Sequence, residues 1–122
     1  MDKRPRLSED FWNTLDQLRT QNRIVIDRPM GSHHPRYPDL VYPLDYGYFE
    51  GTVSGDGAGI DVWIGSAGTG HLSGILCTFD TFKRDAEVKI LLGCTEEDVQ
   101  TVLAFNSDFM RFLYVPKPKE EA

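Results

Sequence analysis

Apolar residues recur along this chain with two different periods. Near the start, Phe11, Trp12, Leu15 and Leu18 fall on one stripe of a helix. Ser8 stands where an N-cap belongs, and Glu9 and Asp10 occupy the first turn, where the helix dipole favours carboxylates. The spacing predicts a short amphipathic helix over 9–19. It would serve either as a lid on one end of a sheet or, through its two large aromatics, as a contact with a second copy. From residue 23 onward the pattern shortens to that of strands. Segments 23–27, 42–52, 60–64, 72–79 and 87–92 are rich in β-branched and aromatic residues, and glycine, proline or polar turns separate them. Gly47 predicts a kink within its strand and Gly74 a bulge. A helical stripe returns at Val99, Val102 and Leu103, with Thr95 as N-cap and Asp98 completing a capping box. Phe109, Met110, Phe112, Leu113 and Tyr114 then form an apolar run before Pro116, readable as a continued helix or an edge strand. Left bare, that run would be sticky, so it is expected on the domain itself or on a partner. Short strands joined by glycine turns, with no long helix between them, predict a small antiparallel or mixed barrel.

The chain's 122 residues, 40% of them hydrophobic, amount to a single domain with a sizeable core, flanked by a frayed basic arm at 1–7 and a disordered tail at 117–122. A formal net charge of -6 speaks against a nucleic-acid partner, which calls for a basic face. It also means that an anionic ligand would need a metal or a local cationic cluster. Cys77 and Cys94 lack zinc-ligand spacing. With a polar N-terminus and no apolar run of bilayer length, they are expected as reduced thiols in a cytoplasmic protein without membrane contact.

The stretch 41–64, VYPLDYGYFEGTVSGDGAGIDVWI, concentrates the candidate chemistry. Asp56 and Asp61 share one glycine-rich segment, and the same i, i+5 spacing recurs at Asp80 and Asp85 in the stretch 73–93, SGILCTFDTFKRDAEVKILLG. Carboxylates gathered in one cleft repel unless a cation neutralises them. A hard divalent ion suits oxygen ligands, and magnesium keeps several waters and is completed by phosphate oxygens. The alternative is that these are turn aspartates, common because Asp bonds its own backbone. A loop over 30–39 carries His33, His34 and Arg36, either as a solvated segment or as a cationic rim for an anion.

IDRPM at 26–30, the Tyr-Pro-x-x-Tyr-Gly run of Tyr42 to Gly47, and the Asp56, Asp61, Asp80 and Asp85 series resemble, in order and separation, the soluble family I inorganic pyrophosphatases. The resemblance covers roughly 24–93. It implies a five-stranded OB-like barrel with flanking helices, here an N-terminal and a C-terminal one. It also implies hydrolysis of pyrophosphate to phosphate with magnesium, for which manganese could substitute. Carried over by position, Arg28 would bind phosphate, and Tyr42 and Tyr46 would be site tyrosines, Tyr46 touching a phosphate. Asp56, Asp61 and Asp85 would surround the tightest metal, and Asp80 with Asp85 would hold metals arriving with substrate. The family is often homo-oligomeric, so a second copy is an expected partner.

The departures are as specific as the matches. Ala58 stands where the family's signature has the aspartate that deprotonates the attacking water, and Gly59 replaces its proline. Glu87 stands where the family has a lysine, and the nearest lysine is Lys89, on the same face of the expected strand. The family's N-terminal strands and its late Tyr-Lys pair have no counterpart. His33, His34 and Arg36 lie in an insertion and are candidates to replace missing phosphate ligands. Two readings follow: a slow or re-targeted magnesium-dependent diphosphate hydrolase, or a non-catalytic metal- and phosphate-binding or assembly module.

Overall fold

The computed structural model describes residues 7–105, 107–108 and 110–119. The expected basic arm up to residue 6, the break at Asn106, Phe109, and the end of the tail at 120–122 lie outside the described residues. Among the described residues the chain order is α1 (Leu7–Gln21), β1 (Ile24–Arg28), β2 (Asp45–Phe49), β3 (Ile60–Ile64), β4 (Leu72–Asp80), β5 (Asp85–Leu92), α2 (Glu96–Ala104) and β6 (Met110–Pro116). Helix α1 begins two residues before the expected stretch and ends two after it, so Ser8 lies inside the helix. Thr95 and Asp98 form the expected capping box at α2. The apolar C-terminal run is a strand, not a continued helix.

The six strands form one open sheet in the order β1-β2-β3-β5-β4-β6. All neighbours are antiparallel except β3 and β5, which pair in parallel at Val62↔Ile90 and Trp63↔Leu91. This differs from the closed five-stranded barrel. The run 110–116 adds a sixth strand against β4, and β1 and β6 end as separate edges. The reason lies in the side chains. A small closed barrel buries one face of its strands inside, whereas here both faces of the central strands are apolar. On β3, Val62 and Trp63 point to opposite sides; on β4, Ile75 and Leu76; on β5, Ile90 and Leu91. One core holds Val62, Ile75 and Ile90 with Phe49 and Leu92, closed by Trp12, Leu15 and Leu18 of α1. The other holds Trp63, Leu76 and Leu91 with Tyr42, closed by Val99 and Val102 of α2. The lid expected of α1 is what Trp12 makes at 8% exposure, while Phe11 stays 44% exposed.

Two glycines are dictated by neighbouring backbone. Gly47 does not kink β2. It faces Ile26 across the β1–β2 pair, where a Cβ would stand 1.8 Å from the Val25 carbonyl oxygen. Gly74 sits at the expected bulge, where the β4–β5 register shifts between Leu72 and Gly74. No helix among the described residues is long and apolar enough to cross a membrane.

Trp12 is the largest side chain that α1 places in the sheet core. Trp12→Ala is expected to lower unfolding free energy by about 3 kcal/mol, with an unchanged urea m-value. A loss below about 1 kcal/mol would show that α1 is not what seals that face.

Candidate functional site

The cleft follows from unequal cover on the two sheet faces. Helix α2 caps Trp63, Leu76 and Leu91. Beyond its reach, the same face continues at alternate positions with polar residues. Asp61 lies two residues before Trp63, Lys89 and Glu87 lie two and four before Leu91, and Thr78 and Asp80 lie two and four after Leu76. Tyr46 pairs with Trp63 across β2 and β3. These residues floor an open cavity of about 400 Å³. On the opposite face the corresponding positions, among them Ile60, Val88 and Cys77, are apolar.

The floor is organised by one ammonium. Lys89 Nζ donates to Tyr46 Oη at 2.7 Å, to Asp61 Oδ2 at 2.9 Å and to Glu87 Oε2 at 3.2 Å, and its side chain is only 13% exposed. Burial works against the charge, but Tyr46 and Asp61 outweigh it and hold Lys89 above the ordinary lysine range. Burial raises Tyr46 well above the usual phenol value, so its hydroxyl is neutral and also bonds Asp61. Glu87 is pushed up by burial, pulled back by Lys89, and pushed up again by a hydrogen bond with Asp56.

Asp56 and Asp80 both serve their own turns. Asp56 Oδ1 accepts from the Ser54 hydroxyl and from the Ala58 N–H, which together pull its carboxyl down to about 2. Asp80 Oδ1 accepts from the N–H groups of Phe82 and Lys83, and Asp80 faces Asp85 across the β4–β5 pair. Turn chemistry therefore accounts for one oxygen of each, as the alternative sequence reading required. Asp56, Asp61, Asp80 and Asp85 nonetheless all line the one cleft.

The opposite wall is basic and aromatic. The loop between β1 and β2 is tied into a hairpin by the His34 N–H to the Leu40 carbonyl and the Tyr42 N–H to the Ser32 carbonyl. Arg28 Nη1 donates to Tyr42 Oη at 3.1 Å, with its guanidinium 5.8 Å from the ring centre. His34 stacks 5° from parallel with Tyr42 and contacts Tyr37 at 5.2 Å. Its Nδ1 accepts the N–H groups of Arg36 and Tyr37, so the neutral ring carries its hydrogen on Nε2. Burial lowers the His34 pKa, and Arg28, Lys83 and Arg36 lower it further. His33 does not line the cleft; its exposed ring bonds the Pro38 carbonyl within the loop.

Of the residues expected from sequence, Arg28, Tyr42, Tyr46, Lys89, His34 and Arg36 line the cleft with the four aspartates. Sequence reading missed Asp27, Tyr37, Thr78, Phe82 and Lys83, which line it too. Thr78 could have been found from its strand parity with Asp80. Tyr37, Phe82 and Lys83 sit in loops, where no period applies. Cys77 and Cys94 are both free, and burial pushes the Cys94 thiol up to about 12.

Among the described residues, no three His, Cys, Asp or Glu side chains are gathered as a ready-made metal cage. The acidic wall does fit magnesium in its looser mode, with one or two carboxylates, water and phosphate oxygens. Its donors are all oxygen. Asp56 and Glu87 are near enough to shift each other's titration, Asp56 downward and Glu87 upward, and Lys89 Nζ stands 3.2 Å from Glu87. Comparisons of the chain with known protein families, with curated proteins and with solved structures return no match.

Lys89→Met would leave Asp61 and Glu87 without their shared cation. It is expected to cost about 3 kcal/mol of stability by chemical denaturation. A variant as stable as the parent would mean that the ammonium is not what holds this floor together. For His34, folding depresses the pKa, so protonation favours the unfolded chain. Stability from this group is full above pH 6.5 and declines as pH falls below it. NMR titration should place His34 below the ordinary imidazole value of 6.5, with the Arg36 and Tyr37 amides moving in the same step. A value at or above 6.5 would contradict the loop geometry.

Proposed function

We propose that this chain is a divergent relative of the family I inorganic pyrophosphatases. In this reading its cleft binds inorganic pyrophosphate or a related diphosphate and hydrolyses it to phosphate. The observation that supports this is convergence. Residues matched to that family from sequence alone, on β1, β2, β3, β4 and β5, line one cavity with separate basic and acidic walls. A diphosphate suits such a cleft because it is a dense anion that can also bridge to a cation.

Each residue has a part in this reading. Arg28, with Arg36 and the Nε2–H of His34, would bind the phosphate oxygens from the basic wall. Tyr46, held neutral by burial, would stand against a phosphate oxygen at the floor and give it the proton now bonded to Asp61. Lys89 would neutralise charge from below. Tyr42 positions the Arg28 guanidinium. Magnesium, or manganese, held by Asp56 and Asp61 with Asp80 and Asp85 beside them, would neutralise phosphate charge and lower the pKa of a bound water. The OB-like barrel would survive as an opened sheet. Two free thiols suit a cytoplasmic setting. The exposed Phe79, Val88 and Leu113 offer a surface for a second copy.

Ala58 bears on rate. Its side chain has no proton acceptor, and its N–H serves Asp56. Loss of a general base lowers turnover by about 10²–10⁴-fold without abolishing it. The second reading, a phosphate-binding module without turnover, is favoured by Lys89 already neutralising Asp61. Phosphate release from pyrophosphate separates the two. Hydrolysis predicts release that depends on magnesium or manganese, is abolished in Asp61→Ala, and rises toward about 10²-fold in Ala58→Asp. No release from the parent protein with either metal would remove hydrolysis of pyrophosphate. A pyrophosphate-dependent rise in melting temperature would then support the binding module.

A further inference from the structure

We propose that the diphosphate this cleft takes carries a planar ring, and that its substrate class is the nucleoside diphosphates. The inference rests on the phosphate-binding reading of the cleft and concerns what else the ligand must contain. Inorganic pyrophosphate is all charge and oxygen, and has no use for an aromatic surface. The rim nevertheless presents two aromatic rings from two different loops. Phe82, on the β4–β5 turn, is 83% exposed, and Tyr37, on the β1–β2 loop, is 38% exposed; both line the cleft. The cavity of about 400 Å³ also falls in the range of organic ligands.

The Tyr37 ring is held in place from below. It contacts His34, His34 stacks on Tyr42, and Tyr42 packs on Trp63 at 5.8 Å and on Phe105 at 4.9 Å. This ladder runs from the second core to the cleft mouth, so its outer ring loses little freedom when a ligand stacks on it. Each exposed ring has a cation beside it in the chain, Arg36 next to Tyr37 and Lys83 next to Phe82. Arg36, Tyr37, Phe82 and Lys83 all line the one cavity from these two loops. Rings with adjacent cations at the mouth, and Arg28 and Lys89 further in, match a ligand whose flat base leads outward from its phosphates. Stacking on a ring face tolerates any base, so the class is set and the base is not. In the hydrolytic form, water adds to the terminal phosphorus and the bond to the bridging oxygen breaks. The products are nucleoside monophosphate and orthophosphate, with one proton released.

Calorimetric titration with magnesium present tests this, using pyrophosphate, methyl diphosphate and adenosine diphosphate on the parent protein, Tyr37→Ala and Phe82→Ala. Adenosine diphosphate should bind the parent about tenfold or more tighter than methyl diphosphate. The alanine variants should lose most of that advantage and keep their affinity for the two ring-free anions. Equal binding of methyl and adenosine diphosphates would overturn the inference and leave the phosphate site standing. So would an adenosine preference that survives both substitutions, or a loss shared by all three ligands. If neither pyrophosphate nor adenosine diphosphate binds, the phosphate reading itself falls, and this inference with it.

Discussion

A strand with apolar side chains on both faces must be covered twice, and the rest of this molecule depends on how unevenly that is done. Trp63, Leu76 and Leu91 meet α2, and Val62, Ile75 and Ile90 meet α1. Helix α2 has nine residues, so it spans about 13 Å and cannot roof the whole sheet. The strands it leaves uncovered change chemistry on that face alone. At alternate positions β3 turns to Asp61, β5 to Lys89 and Glu87, and β4 to Thr78 and Asp80. The cleft is thus the unroofed end of a face whose other end is core. That places charged side chains directly beside Trp63 and Leu91, where water is scarce.

Scarce water explains why Lys89 is the keystone of the floor. A buried ammonium is costly unless opposite charge and hydrogen bonds surround it. Here the Tyr46 hydroxyl and two carboxylates accept its three N–H bonds. The arrangement also constrains its neighbours. Asp61 Oδ2 is held by the ammonium, and Tyr46 lies between Lys89 and the Trp63 ring, with the Tyr46 and Trp63 ring centres 4.7 Å apart. The floor is therefore held in place by its own contacts, and Arg36 and Lys83 stand on the loops that line the cavity above it.

The fold and the site were legible in sequence to different degrees. Strand β3 and the α2 capping box were readable because a short apolar run between glycine turns and Asp at N3 are local signals. The open sheet was not. Whether β6 closes a barrel or extends an edge depends on pairing between residues far apart, and the apolar run at 110–114 serves either outcome. The four aspartates were readable as a set, but their division of labour was not. Asp56 and Asp80 bond their own turns, and spacing alone cannot distinguish a ligand from a cap. Phe82 and Tyr37 were missed because an exposed aromatic in a loop has no periodicity to betray it.

The departures from the pyrophosphatase pattern gain a physical sense once they are traced in space. Set against that pattern, Ala58 lacks a carboxylate, Glu87 has the charge opposite to a lysine, and Lys89 is the nearest ammonium. In the fold they form one chain of contacts. The Ala58 N–H bonds Asp56, Asp56 raises the neighbouring Glu87, Glu87 binds Lys89, and Lys89 binds Asp61. A change at the glycine turn is therefore felt at Asp61 on β3 through Glu87 and Lys89, so the acidic side of the cleft responds as one unit and not as separate carboxylates.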